Sequence, residues 1–358
     1  MSQEQNFIEI TSSPLGSYSY CPTCGIEYGN DSSFCMIDGT KLVTTTKELK
    51  KRTLFAEKYE ILEHLGTGGM GAVYKVRQIL IDKIYALKII PADLITEQLA
   101  SRFEREARTM ATLENQNLVS IVDFGIWQKQ PFMVMELIEG KTLASIIASG
   151  PIDTEQVVSV FRQVLNGLSH AHSKGFLHRD IKPSNIMIYS PSSSKVSDSA
   201  VADRSGELAE TCRAVILDFG IAKKFGIIDH KNDASSLDLT RTGEMIGSPL
   251  YMSPEQARGD NLTPSSDLYS LGCALYESLC GTPPFIGKTP IETMILHLGK
   301  EPLPMKEASL GRDYSPGLER VVRKLLAKDP ADRYQSADEV KRALYLAHQL
   351  DEFEEKSQ

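Results

Sequence analysis

Four glycines within six residues, Gly66, Gly68, Gly69 and Gly71, stand between two runs built like strands, and they narrow the fold more than any other feature. Before them runs Tyr59-Glu-Ile-Leu-Glu-His-Leu65. After them, Val73-Tyr-Lys-Val76 carries the β-branched and aromatic residues that favour strands. Glycines there let backbone N–H groups come close to phosphate oxygens. A dinucleotide-binding fold uses similar glycines but needs a helix directly after them. Strand, turn, strand excludes it. The next strand, Tyr85-Ala-Leu-Lys88-Ile-Ile90, sets a lysine among apolar residues, where a half-buried ammonium needs an anion. Downstream, Leu99, Phe103, Met110 and Leu113 fall at helical spacing and Glu106 fills the missing place in their stripe. A carboxylate in an inward-facing stripe is costly unless paired. Lys88 and Glu106 are therefore expected to satisfy each other.

The stretch His178-Arg179-Asp180-Ile181-Lys182-Pro183-Ser184-Asn185 holds the chemistry. Asp180 can take a hydroxyl proton, Lys182 can neutralise phosphate, and Asn185 can hold Mg²⁺. A polar loop carries such residues by chance, but seldom in this order and spacing. The stretch resembles the catalytic loop of protein kinases, and residues 58–348 as a whole resemble a bacterial eukaryotic-like Ser/Thr protein kinase. That resemblance implies an α+β, bilobal fold, with a β-rich N-lobe at 58–138 and a mainly helical C-lobe at 139–348. It implies that ATP lies against Gly66, Thr67, Gly68, Gly69, Met70, Gly71, Ala72, Val73 and Ala86, with Lys88, held by Glu106, on the α- and β-phosphates. Met135 is then the gatekeeper, and Glu136 to Ile138 the hinge that hydrogen-bonds adenine.

By the same resemblance Asp218, in Val215-Ile-Leu-Asp218-Phe-Gly220, joins Asn185 as a ligand of Mg²⁺ (or Mn²⁺). Asp123-Phe124-Gly125 has the same letters but precedes Asp180, whereas the pattern places that triplet after the catalytic loop. It reads as a decoy within a strand and turn. Arg179 is expected to grip a phosphate on the loop that follows Asp218, with Thr240 or Thr242 as the autophosphorylated residue. Ser248 stands where Ser/Thr kinases usually carry Thr, and Lys182 favours Ser/Thr over Tyr. Asp267 should anchor the catalytic-loop backbone and Arg333 should pair with Glu255. Ser336-Ala-Asp-Glu339 reads as a capping box for the last helix.

Outside this region, Cys21-Pro-Thr-Cys24-Gly25 and Phe34-Cys35-Met-Ile-Asp38-Gly39 form two short knuckles resembling a small zinc ribbon, residues 21–43. Asp38 replaces the usual fourth cysteine. Zn²⁺ on Cys21, Cys24, Cys35 and Asp38, a metal-free ribbon, and a ligand from elsewhere all stay open. In each case the module is a binding or docking element. Residues 1–20 are expected to be disordered, 44–57 a linker, 190–211 a surface insertion and 349–358 a polar tail. A net charge of -8 argues against general nucleic-acid binding. No run approaches the roughly 18 apolar residues of a membrane span, and no secretory signal is visible, so a cytoplasmic enzyme acting on protein substrates is expected. The other readings are a pseudokinase scaffold, which would have lost a member of the set Lys88, Glu106, Asp180, Asn185 and Asp218, and a small-molecule phosphotransferase.

Overall fold

The computed structural model describes residues 9–10, 17–20, 27–28, 43–46, 49, 51–68, 71–90, 107–128, 130–150, 152–190, 212–218 and 249–355. The chain divides into two compact units, one of residues 1–112 with 120–137, the other of 113–119 with 138–358.

The first unit is β-rich. Strands β1 (Glu9–Ile10), β5 (Thr53–Phe55), β6 (Tyr59–Gly68), β7 (Gly71–Gln78), β8 (Lys83–Ile89), β9 (Ile121–Trp127) and β10 (Gln130–Glu136) form one sheet in the order β1-β5-β6-β7-β8-β10-β9. All neighbours are antiparallel except β1 and β5. Alternation explains the core: Tyr74, Val76, Leu87, Ile89, Phe132 and Val134 are buried on one face. The sheet curls until its two sides meet. Phe55 of β5 lies 4.9 Å from the Trp127 ring and 5.3 Å from that of Phe132. The Tyr59 hydroxyl donates to Asp123 Oδ2 at 2.7 Å. Asp123 of the decoy triplet is thus a fastener inside β9, also approached by Lys58 at 3.5 Å. Gly71 has φ +120°, and a Cβ there would stand 2.0 Å from the Ile89 carbonyl oxygen, so no other residue fits.

Near the N-terminus, β2 (Ser17–Tyr20), β3 (Glu27–Tyr28) and β4 (Val43–Thr46) form a separate antiparallel sheet in the order β3-β2-β4. β1 and β2 fall within the segment 1–20 expected to be disordered, and β4 and β5 reach into the expected linker 44–57. Tyr18 and Tyr20, and the run Val43-Thr-Thr-Thr46, have strong strand preference, but each run is too short to announce itself without its partner.

The second unit is mainly helical: α1 (Leu143–Ile147), α2 (Thr154–Ser173), α3 (Pro254–Arg258), α4 (Pro264–Cys280), α5 (Pro290–Gly299), α6 (Met305–Ala308), α7 (Pro316–Leu325) and α8 (Ala337–Glu355). Side-chain caps explain where several begin. Asp153 accepts from Glu155 N at 2.9 Å, Thr289 from Glu292 N at 3.1 Å and Ser315 from Leu318 N at 3.1 Å. At α8 the box is rearranged: Ser336 Oγ accepts from Glu339 N, while the Glu339 carboxylate takes Gln335 N. That helix runs on through Glu355, so the polar tail expected from 349 is largely helix.

Central to this unit is α4, buried on nearly every side and packed with Val160, Phe161, Val164, Leu165 and Leu168 of α2. A small sheet of β11 (Lys141–Thr142), β12 (Ile186–Tyr189) and β13 (Arg213–Ile216) completes it. Tyr189 pairs with Arg213, so the insertion leaves and rejoins the chain at adjacent points. Gln163 of α2 and Asn117 satisfy the outer edge of β13, bonding Cys212 O, Ala214 N and Ala214 O. No helix of the described residues is long and apolar enough to cross a membrane.

Candidate active site

The candidate residues divide between the two units. In the first, β6 and β7 pair so that Gly68 faces Gly71; Gly69 and Met70 lie outside the described residues. Gly66 and Thr67 are exposed, and the Thr67 hydroxyl lies 2.9 Å from His64 Nε2. Register then sorts the sheet's other face. Val73 stands opposite Lys88, Lys88 opposite Met133, and Ala86 opposite Met135. Directly opposed residues share a face, so Val73, Ala86, Lys88 and Met135 line the face away from the aromatic core. Ala86 and Met135 are buried, Val73 and Lys88 half-buried. Ala72 belongs to the core face instead. Glu136 is exposed, and Ile138, the first residue of the second unit's longer segment, is half-buried. Glu106 lies outside the described residues. A largely apolar platform bordered by the ammonium of Lys88 suits a flat base with phosphates attached.

In the second unit the His178–Asn185 stretch links α2 to β12 and is held from below by α4. Asp267 is fully buried, with Oδ1 accepting from Arg179 N at 2.7 Å and Oδ2 from His178 N at 2.8 Å. Oδ2 also takes the Nε2 proton of His172 at 2.8 Å. Burial alone pushes this carboxyl upward, but the His172 hydrogen bond and the Arg179 N–H hold it below the ordinary range. The bond to Arg179 N matters because Arg179 has φ +65°, a left-handed conformation a side chain rarely takes.

His178 Nε2 donates to the Leu217 carbonyl at 2.8 Å, and Nδ1 accepts from Asp180 N at 3.3 Å. Burial keeps this ring well below the usual histidine range, so it is a neutral connector. Leu217 N in turn donates to Asn185 O at 2.8 Å. Two bonds therefore tie Asp218, itself at φ +46°, to the stretch carrying Asp180 and Asn185. Asp180 is buried, and its Oδ2 receives Lys182 Nζ at 2.9 Å and Asn185 Nδ2 at 3.1 Å. Asn185 Nδ2 also donates to Asp180 O at 2.8 Å. With its amide protons turned inward, Asn185 keeps its oxygen for another partner. A neutral amide oxygen and a carboxylate such as that of Asp218 are the donor types Mg²⁺ takes.

Farther along, Glu255 and Arg333 form a buried two-pronged pair at 2.7 and 2.9 Å. Arg333 also donates to Ala327 O, Lys328 O and Ser265 O. Burial would raise the Glu255 carboxyl, but Arg333 and Ser266 bring it below the ordinary range. Sequence reasoning missed three contacts. Gln256 Nε2 donates to Arg179 O at 3.0 Å, tying α3 to the catalytic stretch; the Ser253-x-x-Gln256 capping box was its only signal. Tyr251 donates to Glu277 at 2.5 Å, and burial leaves Glu277 above its usual range although that bond pulls it down. His172 looked like an ordinary helix residue. Ser248, Thr240, Thr242, Cys21, Cys24, Cys35 and Asp38 lie outside the described residues, and among those described no cluster of three or more His, Cys, Asp or Glu is placed to hold a metal ion.

Residues 59–346 match the family model described as the protein kinase domain. The serine/threonine-protein kinase PknB of Mycobacterium leprae is 36% identical over 299 residues, covering 82% of this chain and 43% of that protein. The serine/threonine-protein kinase pkn3 of Myxococcus xanthus is 37% identical over 302 residues, covering 84% of this chain and 51% of that one. The chain thus spans about half or less of the length of these relatives. Among solved structures, the PknI kinase domain of Mycobacterium tuberculosis superposes with a TM-score of 0.61 at 22% identity, covering 84% of this chain and 100% of the other. That likeness is one of fold.

Proposed function

The chain belongs to the protein kinase family, and on that premise we propose that it transfers the γ-phosphoryl group of ATP to Ser or Thr hydroxyls of protein substrates. The observation that carries this reading is the second unit's catalytic stretch, in which Asp180, Lys182 and Asn185 converge through bonds of 2.9 and 3.1 Å. The substrate oxygen forms a bond to the γ-phosphorus, the bond to the β–γ bridging oxygen breaks, and ADP leaves with that electron pair. Asp180 accepts the hydroxyl proton. Lys182 offsets the charge that builds on the transferred group, and Lys88 orients the α- and β-phosphates. Bound Mg²⁺, held by Asn185 and Asp218, supplies further neutralisation of phosphate charge. Most of the acceleration comes from positioning and fixed charge rather than covalent help.

Thr240 or Thr242 is the proposed autophosphorylation site, gripped by Arg179. The segment 21–43 is proposed as a zinc-binding docking module. What supports this is register: Tyr20 pairs with both Glu27 and Val43, so the chain leaves β2 and enters β3 and β4 at one end of that sheet. In sequence, the first knuckle falls between β2 and β3 and the second between β3 and β4. Metal analysis should find about one Zn²⁺ per chain and loss of it in Cys21→Ser; equal metal in both would sink the assignment.

The reaction is tested with ATP labelled at the γ- or α-phosphate and casein as acceptor. Only γ-label should transfer, and phosphoamino-acid analysis should find it on Ser and Thr. Label on Tyr alone, or none transferred, contradicts the proposal.

A further inference from the structure

Beneath the turn formed by Pro249–Tyr251 lies a buried polar chain that the reaction described above does not use. His297, in the last turn of α5, is fully buried. Its Nδ1 lies 2.9 Å from the Tyr269 hydroxyl, and Lys328 Nζ lies 3.3 Å from that same hydroxyl. Burial lowers Lys328 to about 8, so it remains mostly protonated at neutrality. An ammonium only donates. The Tyr269 oxygen therefore accepts from Lys328 and sends its own proton to His297 Nδ1, which leaves the ring proton on Nε2.

That Nε2 is buried without a hydrogen-bond partner. The backbone of Leu250 and Pro249 acts on the ring through hydrogen bonding too loose to satisfy it. A histidine serving packing alone is expected to satisfy both nitrogens, because an unmatched buried donor is costly. The ring is also held in orientation. Phe285 meets it edge-on at 4.8 Å, and Lys328 lies 4.1 Å from the Phe285 centroid. Arg333 lies 4.7 Å from the Tyr269 ring while gripping Glu255. Tyr269 thus braces two points of one segment, Glu255 through Arg333 and the 249–251 turn through His297.

We propose that His297 is a positioning residue for the protein substrate, its Nε2–H closing on the carbonyls of Pro249 and Leu250 when a substrate chain is laid against that turn. Tyr269 and Lys328 set the tautomer that makes this donor available. The inference rests on the kinase reading, in which the residues following Ser248 receive the chain beside the accepting hydroxyl. His297 touches no reacting atom, so its signature is a split between kinetic constants.

The test is steady-state kinetics with ATP and casein on the full chain and the variants His297→Leu, His297→Gln and Tyr269→Phe. His297→Leu should raise the casein KM about tenfold, with the ATP KM and the kcat at saturating casein within about twofold. Gln, which keeps an N–H donor at similar reach, should restore most of the loss. Tyr269→Phe should shift the casein KM in the same direction by a smaller factor. An unchanged casein KM in both His297→Leu and Tyr269→Phe overturns the proposal. So does a parallel fall of all constants with no rescue by Gln, which marks a packing role. Where His297→Leu does not fold, Tyr269→Phe alone decides by the same criterion. Failure of the unsubstituted chain to phosphorylate casein would instead defeat the kinase reading beneath it.

Discussion

A carboxylate as deeply buried as Asp267 persists only because three donors converge on it, from His172, His178 N and Arg179 N. An Asn there would turn an N–H₂ toward at least one of those donors. Asp267→Asn should therefore destabilise the chain by about 3 kcal/mol and lower kcat while leaving the ATP KM nearly unchanged; urea melts and turnover measured together check both. The anchoring role of Asp267 was legible only through the resemblance to protein kinases. His172 was not, because nothing in a helical run announces which histidine faces a buried charge in another element. Lys88→Met should abolish most transfer, since register sets this half-buried ammonium on the apolar face between Val73 and Met133.

Acidity offers a second check at this scale. Burial first, with Lys328 adding to it, lowers His297 from 6.5 to about 4. The unfolded chain thus binds a proton between those values that the folded chain refuses. The stability tied to this ring is complete above about pH 6.5 and is lost as pH falls toward 4, amounting to about 3 kcal/mol. Tyr269 and Lys328 are the titratable groups that face the ring. Urea midpoints at pH 7 and pH 5 should differ less in His297→Gln than in the natural chain.

At the scale of elements, α4 shows how one helix serves several ends. Asp267 near its start holds the catalytic stretch, Tyr269 braces His297, Ser270 donates to Tyr251 O at 2.8 Å, and Glu277 takes the Tyr251 hydroxyl. Its near-total burial follows from its composition, which keeps polar residues only where a partner waits. The Glu255–Arg333 pair locks α3 to this helix. Glu255→Gln should cost about 3 to 5 kcal/mol, because it strands a buried guanidinium. A double-mutant cycle with Arg333→Met should show strong coupling between the two, and independent effects would contradict the geometry. The insertion belongs at this scale too. With Tyr189 opposite Arg213 and the edge of β13 bonded by Gln163 and Asn117, a short turn in place of 190–211 should leave turnover within about twofold.

For the whole molecule, the sequence was most legible where chemistry demands an ordered set of residue types, and least where short strands depend on distant partners. The glycine-flanked hairpin, the lysine strand, α2 and β13 all followed from spacing and pattern. β1, β4 and β5 did not. Two to four residues carry too little periodicity, and β5 earns its place only when Phe55 meets Trp127 and Phe132 from the far side of a curled sheet. The family match begins at residue 59, but the sheet begins earlier. A chain started at 59 loses Phe55 and should melt well below one started at 48, by the roughly 3 to 5 kcal/mol of a buried phenylalanine.

The central claim is that Asp180 accepts the substrate proton within a working phosphoryl-transfer site. Single-turnover transfer to casein at saturating ATP, in the natural chain and in Asp180→Asn, tests it most directly. The expected result is a fall of about a hundredfold or more in the transfer rate, with ATP affinity within about threefold. Equal rates in the two proteins would contradict the account.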